Sequence, residues 1–438
     1  MLDVCSGAVH VVDDVAYDLL DVTEPKSPNC PDGVIDALKD RYSEEEIRTA
    51  YEELYELYKE GQLFCEDDYM AFTGKLQEAP IKALCLHVAH DCNLRCQYCF
   101  ASTGDFGGGR KLMDFETGKK AIDFVIARSG NRRNLEVDFF GGEPLMNFDV
   151  VKQIVEYARG LEKQYNKNFR FTVTTNGMLL DDDIMDYINK EMSNVVLSID
   201  GRKDVNDSLR RTLDGSSCYD HIVPKFKELV ARRGGKDYYV RGTFTKKNLD
   251  FASDVLHLND LGFNEISVEP AVLEDKYTFA LTEEDLPVIF KEYEKLADEL
   301  VERQKQGKGF NFFHFMIDLE QGPCAIKRLR GCGCGNEYVA ITPDGDIYPC
   351  HQFVGNEQWK MGSVHTGEFN NDMKQTFAKA TVVHKKDCQN CWARFYCSGG
   401  CNANSANFEG DILKSHKLSC EMEKKRVECA IYIKAKLA

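Results

Sequence analysis

No stretch of this 438-residue sequence approaches the roughly 20 consecutive uncharged apolar residues that a membrane-spanning helix needs. The first residues, Met-Leu-Asp-Val-Cys, also lack the basic start of a secretory signal peptide. We therefore expect a cytoplasmic protein that neither spans nor binds a membrane. Apolar residues make up 43% of the sequence, which is enough to build the cores of two or three globular domains.

Clusters of basic residues are missing as well. The formal net charge is −17, and an acidic surface repels nucleic acid unless a strong basic patch intervenes. The sequence contains no such run of lysines and arginines. We therefore expect no nucleic acid among the partners.

Cysteine, by contrast, is abundant for a cytoplasmic protein, with eighteen residues, ten of them between Cys324 and Cys429. Disulfides are rare in the cytoplasm, so clustered thiols there indicate metal or redox chemistry. Isolated cysteines commonly behave as small buried hydrophobes. We expect that of Cys5, Cys30, Cys65, Cys85 and Cys218.

Three cysteines form a short loop, Cys92-Asn-Leu-Arg-Cys96-Gln-Tyr-Cys99, just after an apolar run. A 4Fe–4S cluster and a structural zinc ion each take four ligands, so three thiolates leave one metal position open. Two alternatives exist at this point. The loop could hold zinc that His87 or His90 completes, or its three thiols could bind nothing.

From about residue 81 the sequence alternates between strand-like and helical segments, such as the helical patterns at 115–129 and 150–164. This predicts an α/β fold with a partial (β/α)6 barrel, in which chemistry sits at the carboxyl ends of the strands. The predicted strands are Leu84 to Val88, Leu135 to Phe140, Phe169 to Thr175, Val195 to Ile199, Tyr238 to Phe244 and Ile266 to Val268.

Polar motifs follow several of these strands. Gly141-Gly142-Glu143-Pro144 follows the second, and its paired glycines let a ligand approach the backbone, although such a sequence also makes a plain turn. Asn176-Gly and Asp200-Gly follow the third and fourth strands, and either pair can be a simple turn. The last two strands end near Thr243, Thr245, Glu269 and Pro270, without an identifying motif.

The C-terminal third holds most of the thiols. Pro343-Asp344-Gly345 predicts a hairpin turn that would bring Cys350 beside Cys332 and Cys334. Further on, Cys388-x2-Cys391-x5-Cys397-x3-Cys401 precedes Cys420. A zinc ion or a single rubredoxin-like iron could also use the C-x2-C pair.

The N-terminal residues 1–78 predict a winged-helix-like module. Ala8 to Val12 is strand-like, Ser43-Glu-Glu-Glu46 is a capping box, and Gln62 to Cys65 could form one arm of a wing. The helix that starts at the capping box is strongly acidic, which argues against DNA binding. The alternative is a helical cap that only packs against a catalytic domain.

The cysteine loop, with Tyr98 before its last thiol, resembles the signature of the radical S-adenosylmethionine (SAM) enzymes. The resemblance implies that Cys92, Cys96 and Cys99 hold a 4Fe–4S cluster within a barrel spanning 79–308. In this family the methionine part of SAM fills the open iron position. Reductive cleavage of SAM then gives a 5'-deoxyadenosyl radical, which removes a hydrogen atom from the substrate.

The same resemblance implies the SAM contacts. The Gly-Gly-Glu motif would meet the methionine amino group and Ser198 a ribose hydroxyl. One of Arg210 and Arg211 would bind the carboxylate, although relatives often have His-Asp where this chain has Asn206-Asp207. The implied contacts are Tyr98, Gly141, Gly142, Glu143, Asn176, Ser198, Asp200 and Arg210.

The C-terminal pattern resembles the SPASM extension of radical SAM peptide maturases, here over 309–438, which holds two auxiliary 4Fe–4S clusters. With the loop cluster this makes three. The implied outer ligands are Cys388, Cys391, Cys397 and Cys420, and the implied inner ligands are Cys350 and Cys401 with Cys332 or Cys334. The fourth inner ligand would be Cys324 or the unused member of that pair, or else an iron stays open for a substrate thiolate. Cys429 is expected to bind nothing.

The Cys332-Gly-Cys334-Gly pair and the sequence around Cys350 most resemble maturases of six-cysteine (SCIFF-type) peptides. These enzymes join a cysteine sulfur to a threonine α-carbon. The implied partners are a precursor peptide, whose leader the N-terminal module binds as an added strand, and a flavodoxin- or ferredoxin-like electron donor. The rivals are an anaerobic sulfatase maturase, which makes formylglycine, and a non-catalytic metal-binding scaffold.

Overall fold

A computed structural model of the protein describes residues 1–77, 79–274, 276–319 and 325–437. Cys324, a candidate inner ligand, lies outside the described residues. Among the helices within these ranges, none combines the length and apolar character needed to cross a membrane.

The strands of the described residues form one mixed, 11-stranded sheet in the order β11-β10-β9-β1-β3-β4-β5-β6-β7-β8, with β2 paired to β1. Their bounds are β1 Ala83–His90, β2 Lys111–Leu112, β3 Asn134–Gly141, β4 Asn168–Thr175, β5 Asn194–Ser198, β6 Tyr239–Phe244, β7 Glu265–Pro270, β8 Asn311–Phe312, β9 Tyr338–Ile341, β10 Asp346–Tyr348 and β11 Gly362–Ser363. The six strands predicted from the sequence are confirmed as β1 and β3 to β7, with ends displaced by only one or two residues.

The helices lie between and beyond these strands. Their bounds are α1 Asp14–Val22, α2 Asp32–Leu38, α3 Glu44–Lys59, α4 Thr73–Gln77, α5 Phe115–Arg128, α6 Phe148–Tyr165, α7 Asp182–Glu191, α8 Lys203–Leu209, α9 Tyr219–Arg232, α10 Phe251–Asp260, α11 Leu286–Lys305, α12 Ala325–Leu329, α13 Asn371–Ala378, α14 Lys386–Gln389, α15 Arg394–Cys397, α16 Asn402–Glu409 and α17 Lys417–Leu437. The predicted helices at 115–129 and 150–164 are confirmed as α5 and α6.

The parallel part of the sheet explains where the chemistry sits. Neighbours from β1 through β3 to β8 all run parallel, so their carboxyl ends meet at one edge. Strand β1 is buried along almost its whole length, as expected of a strand covered on both faces. The predicted α/β fold is confirmed, and the cysteine loop begins at the carboxyl end of β1.

The C-terminal strands extend this same sheet. Strand β9 pairs in parallel with β1, with Leu84 opposite Val339. Strand β10 then turns back antiparallel to β9 through the predicted hairpin, with Ile347 opposite Ile341. The cysteine-rich segment is therefore attached directly to the strand that carries the cysteine loop.

The N-terminal segment differs from its prediction in its strands. Helices α1 to α3 share a small core around Leu19, and the capping box of Ser43 and Glu46 is confirmed. The expected strand Ala8 to Val12 contributes only a bridge between Leu2 and Val9, and no strand forms at 62–65 among the described residues. A two-stranded ribbon alone is marginally stable, so local β propensity does not fix it.

Candidate active site and thiol groups

A cavity of about 490 Å³ opens at the carboxyl ends of the parallel strands. Its lining joins the two cysteine-rich parts of the chain. The thiol-bearing residues in its wall are Cys92, Cys96 and Cys99 from the loop and Cys397, Cys401 and Cys420 from the C-terminal segment. A substrate in this cavity would therefore contact both regions.

Glycines allow the cysteine loop to close against the end of β3. A Cβ atom on Gly142 would lie 2.1 Å from the carbonyl oxygen of Asp91, and one on Gly104 would lie 2.7 Å from Cβ of Cys92. The Gly142 N–H donates to Ala89 and the Glu143 N–H donates to Asp91, at 2.8 and 2.9 Å. The Gly-Gly-Glu motif thus holds the loop by its backbone, and a larger side chain at Gly142 would displace it.

Glu143 is a buried carboxyl group that ties β3 to β4. It accepts hydrogen bonds from the Leu145 N–H at 3.0 Å, the Thr175 hydroxyl at 2.8 Å and the Asn176 N–H at 2.8 Å. Burial raises the pKa of Glu143 to about 7. The group still borders the cavity, where a cationic ligand would favour its charged form.

Two other predicted SAM contacts, Asn176 and Ser198, border the cavity. The Asn176 amide donates to Asn93 Oδ1 at 2.8 Å and to Cys92 Sγ at 3.7 Å. It therefore bridges the end of β4 and the cysteine loop. Ser198 ends β5 and is partly exposed to the cavity.

Asp200 lies behind the cavity wall instead of in it. It is fully buried, and its carboxylate accepts hydrogen bonds from Tyr98 at 2.8 and 2.9 Å and from the Thr243 N–H at 3.0 Å. Arg210 pairs with it at 3.0 Å and borders the cavity. Arg211 is exposed, so of the two candidate arginines only Arg210 reaches the site.

The histidines of the zinc alternative bond to each other. His87 Nδ1 lies 3.0 Å from His90 Nε2, and both rings pack against Phe106. Across the described ranges, no three metal-binding side chains converge on a point suited to a single metal ion.

The C-terminal thiols separate into two groups of four. The first comprises Cys332, Cys334, Cys350 and Cys401, which interact electrostatically with one another. The second comprises Cys388, Cys391, Cys397 and Cys420. We call these the inner and outer thiol groups. The hairpin does bring Cys350 beside Cys332 and Cys334, as predicted.

The buried thiols suit a cationic metal group. Burial raises the pKa of Cys92 to about 11, and it raises those of Cys401 and Cys420 to about 11 as well. Such thiols ionise readily only beside a bound cation, which deprotonates a coordinating thiol. Three loop thiols and two groups of four thus fit one incomplete and two complete iron–sulfur sites in donor type and number.

Several cavity residues carry no sequence motif. Arg241 on β6 makes a two-point ion pair with Glu269 on β7, at 3.0 and 2.7 Å. His314 lies near this pair, and burial holds its pKa well below the usual range. Glu269 was expected near the end of its strand, whereas Arg241 and His314 were not. The opposite charge of Arg241 on the adjacent strand was the signal that could have identified it as the partner of Glu269. Thr245, expected near the site, is buried and caps the following turn instead.

Comparison with protein families gives two matches. The family described as the radical SAM superfamily matches residues 86–240. The iron–sulfur cluster-binding SPASM domain matches residues 332–392.

Among similar sequences, an uncharacterised protein of Methanocaldococcus jannaschii is 31% identical over 63% of this chain and 86% of its own. A cysteine-type anaerobic sulfatase-maturating enzyme of Clostridium novyi is 24% identical over 72% of this chain and 86% of its own.

Two solved structures share the fold. Native anSMEcpe with bound AdoMet and the Kp18Cys peptide has a TM-score of 0.68 and 20% identity, and the match covers 82% of this chain and 99% of that one. SuiB of Streptococcus suis bound to precursor peptide SuiA has a TM-score of 0.56 and 17% identity, covering 94% and 93%.

Proposed function

The chain belongs to the radical SAM superfamily and carries a SPASM domain, and on that premise we propose that this enzyme forms thioether bonds in a ribosomally made, cysteine-rich peptide. The bond would join a cysteine sulfur to a threonine α-carbon, as in maturases of the SCIFF type. The observation that carries the proposal is that one cavity is bordered by both the loop thiols and the C-terminal thiols.

The cofactors would be SAM and three 4Fe–4S clusters, held by the cysteine loop, the inner thiol group and the outer thiol group. When bound, they supply one-electron chemistry: cleavage of SAM at the loop and acceptance of the electron released when the new bond forms. The family match supports SAM and iron–sulfur clusters, and the grouping of the thiols supports the number three.

The protein residues would orient SAM and keep water out. Gly141, Gly142 and Glu143 would receive the methionine amino group, Ser198 and Asn176 the ribose, and Arg210 the carboxylate. We assign Asp200 a positioning role, because its carboxylate holds Tyr98 and Arg210 from behind the wall. A preorganised ion pair of this kind costs little reorganisation when the ligand arrives.

A precursor peptide as substrate agrees with the extra length of this chain. The match to anSMEcpe covers nearly all of that protein but only 82% of this one, whereas the match to SuiB covers 94% of this chain. We assign residues 1–78 to a winged-helix-like leader-binding module, 79–308 to the barrel and 309–438 to the SPASM extension. The leader would add to this module as a β-strand.

The inner thiol group bears on how the substrate sulfur is activated. The sequence allowed the possibility that one iron of the inner cluster has no protein ligand and binds the substrate thiolate. Four thiols, Cys332, Cys334, Cys350 and Cys401, interact within this group, enough for a complete ligand set. This supports a site that accepts an electron without binding the sulfur directly.

The second candidate function is formylglycine formation on a sulfatase. Relatives with this activity in Clostridium novyi and Clostridium perfringens support it, at 23 to 24% identity. A non-catalytic scaffold is set aside, because the family and its sulfatase-maturating relatives are enzymes.

The two reactions differ in product mass. We would incubate the anaerobically reconstituted protein with SAM, a reductant and a cysteine-rich precursor peptide, and analyse the peptide by mass spectrometry. A thioether removes two hydrogen atoms and blocks one thiol from alkylation. Formylglycine formation instead oxidises the cysteine side chain to an aldehyde, so the residue loses two hydrogen atoms and exchanges its sulfur for oxygen. That product would refute the thioether proposal.

A further inference from the structure

Three cations that are far apart in sequence lie in the cysteine loop or on segments that contact it. The Arg95 N–H donates to the Arg211 carbonyl at 2.7 Å, and Lys247 Nζ donates to Gln97 Oε1 at 2.7 Å. Arg211 and Lys247 are exposed, and Arg95 is half-buried. The fold thus forms a basic surface, although the sequence contains no run of basic residues that would predict it.

These cations differ from their neighbours because they are not neutralised. In the part of the chain that the structure describes, their side chains bond to carbonyl or amide oxygens and form no ion pairs. Nearby, Lys246 pairs with Asp285 and so contributes little net charge. One carboxylate shares the segment, Asp214, and it accepts hydrogen bonds from Thr212 and Ser216.

The segments that form the basic surface also contribute to the wall of the cavity. Leu94 forms a β-bridge with Thr212, so the segment that carries Arg95 runs beside the one that carries Arg211. Cys92 and Cys96, which flank Arg95 in the sequence, border the cavity. A redox partner seated on this surface would therefore lie against the segment that carries the loop thiols.

The charge of the surface selects the partner. The chain has a net charge of −17, so most of its surface repels an acidic protein. The unpaired cations attract such a protein to one place. Leu213, 69% exposed beside Arg211, adds an apolar contact. Electron-transfer complexes are small and transient, so a few cations around an apolar residue suffice.

We propose that Arg95, Arg211, Leu213 and Lys247, here called the donor face, dock a small acidic protein that carries one electron. The proposal rests on the proposed function, because SAM cleavage consumes one electron from outside. In the docked complex the carrier loses one electron and the group held by the loop thiols gains it. No proton or leaving group takes part in that step.

The test is a double charge reversal, Arg211→Glu with Lys247→Glu, compared with Arg133→Glu and Lys163→Glu. The control residues are also one exposed arginine and one exposed lysine, and the described residues show no ion pair for either. They lie at the opposite edge of the sheet, Arg133 just before β3 and Lys163 near the end of α6, which precedes β4. The affinity of reconstituted protein for an acidic flavodoxin is measured at low and high salt. Anaerobic reduction of the enzyme is then followed with flavodoxin hydroquinone and, separately, with dithionite.

We expect the donor-face variant to bind flavodoxin about tenfold or more weakly and to lose most of the salt dependence. Its reduction by flavodoxin should slow, while reduction by the small ion dithionite stays unchanged. The control variant should match the wild type. Equal flavodoxin affinity in the wild type and the donor-face variant, or an equal loss in the control, would overturn the proposal.

The affinity measurement requires no SAM cleavage. Failure of the proposed function would appear separately, as absence of dithionite-driven SAM cleavage by the wild-type protein.

Discussion

The Tyr396 hydroxyl donates a hydrogen bond to the Gly7 carbonyl at 2.9 Å, across 389 residues of sequence. Tyr396 lies between Cys391 and Cys397 of the outer thiol group, and its neighbours make further contacts with the N-terminal segment. Arg394 bonds to Asp67 at 3.0 Å, and the Phe395 ring lies 4.2 Å from that of Tyr69. The N-terminal segment is therefore docked on the outer thiol segment, where leader binding could influence it.

The docking contacts should stabilise the N-terminal segment measurably. Tyr396→Phe removes one hydrogen bond, and we expect it to make docking of the N-terminal segment less favourable by about 1 kcal/mol. Limited proteolysis within residues 1–77 should therefore become about fivefold faster. Tyr17→Phe is the matched control, because Tyr17 is 62% exposed. Equal cleavage rates in the two variants would show that the contact does not hold the segment.

Removing residues 1–77 tests the leader-binding proposal. We expect the truncated protein to bind full precursor at least about tenfold more weakly, because added-strand recognition depends on this segment. It should still cleave SAM without peptide. A leaderless core peptide is the control and should bind both proteins alike. Unchanged affinity for the full precursor would favour the alternative, a helical cap.

Substitutions in the cysteine loop and in the inner thiol group should differ in their effects on iron content and on activity. Three 4Fe–4S clusters require about twelve irons, and changing Cys92, Cys96 and Cys99 together to Ala should remove about four and abolish SAM cleavage. Changing Cys350 or Cys401 to Ala should abolish thioether formation but leave SAM cleavage partly intact. Loss of cleavage without loss of iron in the triple variant would contradict the loop assignment.

Glu143 should make SAM binding depend on pH. Burial raises its pKa to about 7, so below that pH it is mostly protonated. If its carboxylate receives the SAM ammonium group, binding must release a proton. The affinity should then fall as the pH drops below 7, by up to about tenfold per unit.

Glu143→Gln is the control for this pH dependence. The amino group of free SAM titrates in the same way in both experiments. The ratio of the wild-type affinity to the variant affinity therefore reports the titration of Glu143 alone. Equilibrium dialysis across this range should give a wild-type affinity that approaches the variant's at low pH. A ratio of affinities that does not change with pH would show that the Glu143 carboxylate does not receive the SAM amino group.

Local patterns in the sequence predicted much of the barrel. Strands β1 and β3 to β7, the capping box at Ser43 and the hairpin at Gly345 all follow from periodicity or turn chemistry. The expected strand at Ala8 to Val12 failed because strand pairing depends on a partner, which local propensity does not specify.

Long-range relationships were beyond the sequence. Nothing local indicated that β9 pairs with β1, or that Asp200 lies behind the wall with Tyr98 and Arg210. The sequence did not reveal the donor face for the same reason, since Lys247 reaches the cysteine loop, at Gln97, only through the fold. The sequence also left open which of Cys332 and Cys334 joins the inner thiol group, and in the structure both lie with it.

The central claim is that this enzyme removes the α-hydrogen of a peptide threonine and joins that carbon to a cysteine sulfur. The most direct measurement uses a precursor with deuterium on the threonine α-carbons, allowed to react anaerobically with SAM and dithionite. We predict deuterium in the 5'-deoxyadenosine product and a peptide that has lost one deuterium and one hydrogen. Unlabelled 5'-deoxyadenosine would contradict the claim. A second precursor carries deuterium on the cysteine β-carbons instead, and transfer of that deuterium to 5'-deoxyadenosine would favour formylglycine chemistry.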